Sequence, residues 1–254
     1  MAKVVNNFVI DHVLRGIMTK KDGEYMWSIN QITNPSLNVA LSDTAQAVDA
    51  LGTPIAEFDR GRSAEFSAEN SLFDLGLYAA QLGQKTVYAE TEIPAFEDFE
   101  YSATGYELKH LPVEAPAYVY ALNGDGTLGQ SYKVGTAADE DTFSIDDQTV
   151  SFPTNVKEGS FIVIYDYLDV ASSVTADAIN FPDRGRFVME VLGCDVCDQT
   201  NLIHAYVEFP NAKLDGNVDY SFTTDGTHPF TIRAMQDYCN KEKVLFRVII
   251  PEEA

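Results

Sequence analysis

Two cysteines three positions apart, Cys194 and Cys197, carry the sharpest chemical signal in this chain of 254 residues. A C-x-x-C pair can offer two thiolates to zinc, with His204 and Cys239 downstream as further ligands. A closed site needs four converging groups, and the step from Cys197 to His204 fits no common finger spacing. A dithiol redox pair would need a helix after the motif, and none is predicted there. The segment therefore reads as a turn with two incidental thiols.

Gly124-Asp125-Gly126-Thr127-Leu128-Gly129 fits the G-x-G-x-x-G pattern of dinucleotide sites. That chemistry needs a helix N-terminus behind the loop to hold a pyrophosphate. Gln130-Ser131-Tyr132-Lys133-Val134 reads as a strand instead, and Asp125 puts negative charge where phosphate would sit, so a hairpin turn is expected. Asp139-Glu140-Asp141 and Asp146-Asp147 lack the spacing and terminal Glu of a calcium loop. They read as solvated acidic turns. Glycosidase chemistry would use two carboxylates across a cleft, and nothing singles out a pair among 39 acidic residues. His12, His110, His204 and His228 stand in no triad-like context, and G-x-S-x-G and H-E-x-x-H motifs are missing from the sequence. No cofactor, metal or catalytic group is expected.

The balance of charge narrows the partners. The formal net charge is −22, from 39 acidic and 17 basic side chains. Such a chain repels phosphate backbones and has no basic stripe to hold them. The first 42 residues carry +1, while 43–100, 101–170 and 171–254 carry −9, −8 and −6. No apolar run approaches the roughly 18 residues that span a bilayer. The opening Met1-Ala2-Lys3-Val4-Val5-Asn6-Asn7 lacks the apolar stretch of a signal peptide, and Pro35 spoils Asn34-Pro35-Ser36 as a glycosylation acceptor, so a cytosolic site of synthesis is expected.

The elements that must position these residues are mostly strands. Val13–Thr19 and Tyr25–Thr33 flank Lys20-Lys21-Asp22-Gly23-Glu24, a hairpin signal. Residues 34–54 begin with a proline break and turn small and polar, which predicts a long loop ordered by a partner. Ile55–Arg60 and Ser63–Ser67 read as two short strands around Gly61. One helix is predicted, capped by Asn70 or Ser71, with Leu72, Leu75, Ala79 and Leu82 on one face and Gly83 as its stop. From Lys85 to Leu111 the chain is β-like, with Val87, Ile93 and Phe96 as core residues. Residues 112–170, entered through Pro112 and Pro116, read as a small inserted β unit. Strands over Phe187–Leu192, Leu202–Phe209, Val218–Thr223, Phe230–Asp237 and Val244–Ile250 form a closing meander. The expected fold is mainly β: a sandwich or barrel core from 1–111 and 171–254, one flanking helix and the 112–170 insert.

Three stretches in this order carry a resemblance. They are Asn34-Pro35-Ser36-Leu37-Asn38-Val39 leading to Gly52-Thr53-Pro54-Ile55-Ala56-Glu57-Phe58; Arg60 to Leu75 with the helix to Gly83; and Arg186 to Ile250, with Gly193-Cys194-Asp195-Val196-Cys197 and Phe209-Pro210-Asn211-Ala212-Lys213. Together they cover about half of the chain, which resembles the major tail, or tail tube, proteins of tailed bacteriophages. The resemblance implies a structural virion protein without catalysis. Its members form hexameric rings that stack into a tube, with inner hairpins joined into one barrel that conducts DNA during ejection. Self-association, tail initiator, terminator and tape measure proteins, a possible sheath and passing DNA are the implied partners, and assembly in the host cytoplasm is implied too. On that reading Leu37, Val39, Leu41, Val48 and Leu51 belong to an inter-ring arm. Arg60 and Arg62 are candidates for charge pairs across a subunit border, or for pairs within the chain. Glu57, Asp59, Glu65 and Asp219 are candidates for the lumen lining, where acid would keep DNA from sticking. A virion receptor-binding or carbohydrate-binding β-sandwich, marked by an exposed aromatic platform, and a glycan-degrading enzyme, marked by two carboxylates in a cleft, are the alternatives.

Overall fold

A computed structural model of the chain describes residues 7–113, 117–238 and 241–251. In chain order the elements are β1 (Phe8–Thr19), β2 (Tyr25–Ile29), β3 (Ile32–Val48), β4 (Pro54–Asn70), α1 (Leu75–Gln81), β5 (Val87–Glu100), β6 (Tyr106–Glu107) and β7 (Tyr118–Leu122). There follow β8 (Leu128–Gly135), β9 (Thr142–Asp146), β10 (Thr149–Ser151), β11 (Ser160–Ser173), β12 (Arg184–Asp195), β13 (Asp198–Leu214), β14 (His228–Ala234) and β15 (Arg247–Ile249). The fold is mainly β, with one helix among the described residues. It divides into two compact units: Met1–Thr86 with Val174–Ala254, and Val87–Ser173. Residues 112–170 lie inside the second unit, which also takes in β5 and β6. Pro116 and Cys239 lie outside the described residues.

The first unit is one eight-stranded sheet in the order β2-β1-β12-β13-β14-β4-β3, with β15 added beside β13. The turn between β1 and β2 follows from its residues. Gly23 takes φ +92°, Lys20 N–H donates to Glu24 O at 2.8 Å, and Glu24 N–H donates to Asp22 Oδ1 at 3.0 Å. That turn sets the register that brings Met18 opposite Trp27. Alternation then sends Trp27, Phe66, Phe187 and Phe230 to one side, where all are buried. Trp27 on β2 meets Phe230 on β14 at 6.0 Å between ring centroids, although three strands separate them in the sheet. The sheet must therefore curl around its own aromatic core. Each such ring contributes about 2–3 kcal/mol by leaving water.

The helix α1 is shorter than its sequence pattern. Asn70 ends β4 rather than capping a helix, and its Nδ2 donates to Leu72 O at 2.8 Å. Asp74 is the cap, accepting from Leu77 N at 2.8 Å, and Leu72 is left outside at 61% exposure. Leu77 packs into the aromatic core. Gly83 ends the helix at φ +69°, where a Cβ would meet the Phe181 backbone at 2.4 Å.

The closing meander also differs from expectation. Strand β13 continues through Leu214, past the turn expected after Phe209, and no strand forms over Val218–Thr223. That segment alternates polar and apolar residues but has no paired neighbour, and alternation alone makes no ladder.

The second unit is a seven-stranded sheet in the order β5-β11-β7-β8-β9-β10-β6, parallel between β8 and β9 and antiparallel elsewhere. Its core gathers Phe99, Val119, Phe143, Phe161 and Tyr165. The two ends of the strand order meet: Phe99 on β5 stacks on Tyr106 of β6 at 4.8 Å. Glu97 seals the same seam. It is 3% exposed and accepts from Tyr106 Oη at 2.9 Å, Lys109 N at 3.0 Å and Tyr165 Oη. Burial pushes the Glu97 carboxyl up, but the donors from Tyr165, Lys109 and Tyr106 outweigh it and hold the group below its ordinary range. Burial and the facing Glu97 raise Tyr165 above its ordinary range. Phe96 falls on the opposite face from this inward row, at 65% exposure, whereas Val87 and Ile93 share the row's parity but lie further toward the start of β5, where Val87 is 53% exposed and Ile93 half-buried.

Candidate assembly surface

Residues 34–54 are not a loop. They form most of β3, which pairs with β4 as one long antiparallel hairpin. Pro35 is tolerated because β3 is the last strand of its sheet, and Asn34 at φ +50° absorbs the register shift between Thr33 and Ser36. The two short strands expected around Gly61 are likewise one, with offsetting register shifts around Asp43 and Gly61.

Among the described residues no third strand pairs with the outer end of this hairpin. Strand β14 covers β4 only over Glu65–Asn70, so Pro54–Ala64 has a free edge, and β3 has a free edge along its length. From Val39 to Val48 that is about 33 Å of two-stranded ribbon at ~3.3 Å per residue. A ribbon open on both edges is marginal in water and offers two rows of unpaired backbone groups.

Register gives the ribbon two unlike faces. Leu37, Val39, Leu41, Ala45 and Ala47 lie across from Phe66, Ala64, Arg62, Phe58 and Ala56. Ala64 and Phe66 are buried in the core, whereas Val39, Leu41 and Phe58 are 43%, 50% and 56% exposed. On the opposite face Asn38, Ala40, Thr44 and Gln46 lie across from Glu65, Ser63, Asp59 and Glu57. Three of the four lumen candidates thus share one polar, acidic face. Asp219 does not join them; it lies in the segment between β13 and β14.

Charge is unequally satisfied on these faces. Glu65 sits 3.5 Å from Arg233, which also holds Asp215 at 2.6 Å. Among the described residues Glu57, Asp59, Arg60 and Arg62 make no ion pair within the chain. The tip, by contrast, is built. Asp49 Oδ1 accepts from Leu51 N and Thr53 N, each at 2.8 Å, and Gly52 takes φ +85°. This Asx-type turn presents Leu51 at 92% exposure.

The other chemical candidates resolve into local structure. Val196 and Cys197 form the tight turn joining β12 to β13, and Cys197 N–H donates to Asp195 Oδ1 at 2.9 Å. Among the described residues no three His, Cys, Asp or Glu gather as a metal group. The glycine motif is the turn into strand β8. Sequence reasoning missed one polar network. Glu190, 8% exposed on β12, accepts from Arg15 Nε at 2.5 Å and lies 2.8 Å from His204 Nδ1. Burial raises its carboxyl, and the contacts with Arg15 and His204 outweigh burial and bring it below its ordinary range. The network ties β1, β12 and β13 together. The signal in sequence was only the cross-strand register, which needs the fold.

A mainly β fold that carries an amphipathic ribbon with open edges has the geometry of a structural protein. The chain belongs to the YomU/Tube protein family, which it matches over residues 8–248. Membership supports a structural role in the phage tail tube and a place in the virion tail. No curated protein matches the chain. Among the described residues no helix is long and apolar enough to cross a membrane.

Proposed function

We propose that copies of this chain close into hexameric rings through the β3–β4 ribbon, and that the rings stack into a tube that conducts DNA during ejection. The observation that carries the reading is the ribbon itself, with two free edges and two unlike faces. The free edge of β3 in one copy can pair with the free edge of β4 in the next. Such a head-to-tail contact, repeated by a rotation that closes, removes both open edges of the ribbon at once. The acidic face with Glu57, Asp59 and Glu65 then lines the lumen and repels DNA phosphates, while the apolar face packs into the wall. Arg60 and Arg62 bind carboxylates across the subunit border, and the Leu51 tip reaches the adjacent ring.

The protein is not catalytic on this reading. A tail initiator nucleates the tube, a terminator ends it, a tape measure protein occupies it during assembly in the host cytoplasm, and a sheath can surround it. Negative-stain microscopy of the purified chain at rising concentration, with and without an initiator complex, is the test. Tubes of uniform width are expected. A chain that stays monomeric at high concentration in both conditions would refute the proposal.

A further inference from the structure

The second unit bears a surface that its own fold leaves uncovered. Strands β5 and β11 pair without a register shift from Val87↔Ser173 to Glu100↔Ser160. Phe161, Val163 and Tyr165 point into the core, so the alternate residues of β11 face outward: Ile162, Ile164, Asp166, Leu168 and Val170. The same parity on β5 turns Glu90, Glu92, Phe96, Asp98 and Glu100 to that side. On β7, Tyr118 lies across from Ile164 and Tyr120 across from Ile162. Phe96, Tyr118, Leu168 and Val170 are 65%, 49%, 50% and 51% exposed. An aliphatic ridge on β11 is thus bordered by aromatic rings, with a row of carboxylates on the β5 side.

None of Glu90, Glu92, Asp98 and Glu100 makes an ion pair or side-chain hydrogen bond among the described residues. The unit holds 16 acidic and 3 basic residues between 87 and 173, a net of −13. Like charges on one strand face repel each other, and cations from outside would relieve them. We infer that this face of β5, β11 and β7 docks a second protein that presents an apolar ridge beside a row of Lys or Arg. An apolar centre with a charged rim is the anatomy of such contacts, and Phe and Tyr are enriched in them. A second copy would set acid against acid. A glycan carries no cations to relieve the carboxylate row, and capture of one is an outcome that the test below separates. The inference rests on the second unit alone, and it stands or falls separately from ring formation.

The test uses the full-length chain and a labelled synthetic peptide of alternating Leu and Lys, read by fluorescence anisotropy. A peptide of alternating Leu and Glu is the control for apolar adhesion. Neutralising the row (Glu92→Gln, Asp98→Asn, Glu100→Gln) should weaken Leu-Lys binding about tenfold and flatten its salt dependence. Ile164→Asp should weaken it similarly. An equal charge change elsewhere in the unit (Glu140→Gln, Asp141→Asn, Asp147→Asn) should leave it within about twofold. These side chains are solvent-facing, and an unchanged melting temperature confirms that the variants fold. Equal loss in the control variant, equal binding of the Leu-Glu peptide, or a photo-crosslinker at position 164 that captures only a second copy or glycan in assembled particles would each overturn the inference.

Discussion

Replacing Leu51 by Ser tests whether the ribbon tip is buried by assembly. In the separate chain Leu51 is 92% exposed, and its turn is held through Asp49 and the backbone rather than through its own side chain. The substitution should therefore move the stability of the unassembled subunit by no more than about 0.5 kcal/mol. If the tip seats in a neighbouring ring, nearly the whole leucine surface leaves water there. Burying that side chain is worth about 2 kcal/mol, and losing it should raise the critical concentration for polymerisation about 30-fold. Leu51→Met, of similar volume and apolarity, should stay within about fivefold of the parent. The assay is the protein left in the supernatant after ultracentrifugation, across a concentration series, with melting of unpolymerised subunits as the control. A Ser variant whose critical concentration stays within about twofold, at unchanged melting temperature, would show that Leu51 is not in an interface.

Glu57→Lys, Asp59→Lys and Glu65→Lys together should leave tubes that release DNA slowly, most visibly at low salt, as measured by ejection kinetics; normal kinetics from intact tubes would remove this face from the lumen. Excising Val87–Ser173 and joining the ends by a two-residue turn should leave a first unit that still polymerises, because Val87 and Ser173 are paired and so about 5 Å apart; microscopy of the shortened chain checks this. Acid should weaken the two units in sequence. Burial lowers His228 from its ordinary 6.5, so the unfolded chain takes the proton first, and stability falls as pH drops below about 6.5. Glu97 is held below its ordinary 4.5 despite burial, so its contribution is intact above about pH 4.5 and is lost as pH falls through the folded value. Calorimetry from neutral to acid pH should show the first unit weakening before the second, and His228→Gln should flatten the upper part of that slope.

Local chemistry was largely legible in the residues, and pairing was not. Asp22-Gly23 and Asn123 to Gly126 announced their turns because those backbones need particular residue types. Leu37, Val39 and Leu41 alternate as a strand does, yet Pro35 and the small polar run after Ser42 argued for a loop. What decides the matter is that an edge strand tolerates proline, and edge status comes from strand order. Between Ile93 and Phe99 two opposite phases of alternation fit equally well. The one that won sends Glu97 inward, because Tyr165, 68 positions away, supplies its hydrogen bond. Glu57 and Asp59 could be placed on one side by parity, but Glu65 joins them only because β4 runs through Gly61 as one strand. Asp219 could not, since its segment alternates without joining a ladder. The outward face of the second unit was invisible for a related reason: its rows are built from three strands that only the register aligns.

The order in which the strands become available during synthesis follows from their pairing. The second unit is one contiguous stretch, so it can complete its fold soon after Ser173 leaves the ribosome. The first unit cannot. Strand β1 must wait for β12, more than 160 residues later, and β4 has no sheet to join until His228–Ala234 has been made. The β3–β4 ribbon is therefore translated early but anchored last. Nascent chains on one messenger lie close together, and two ribbons tethered there without their sheets would be free to pair wrongly. Delayed anchoring keeps the rigid, correctly aimed ribbon from existing until β14 has been made, well after the second unit is complete.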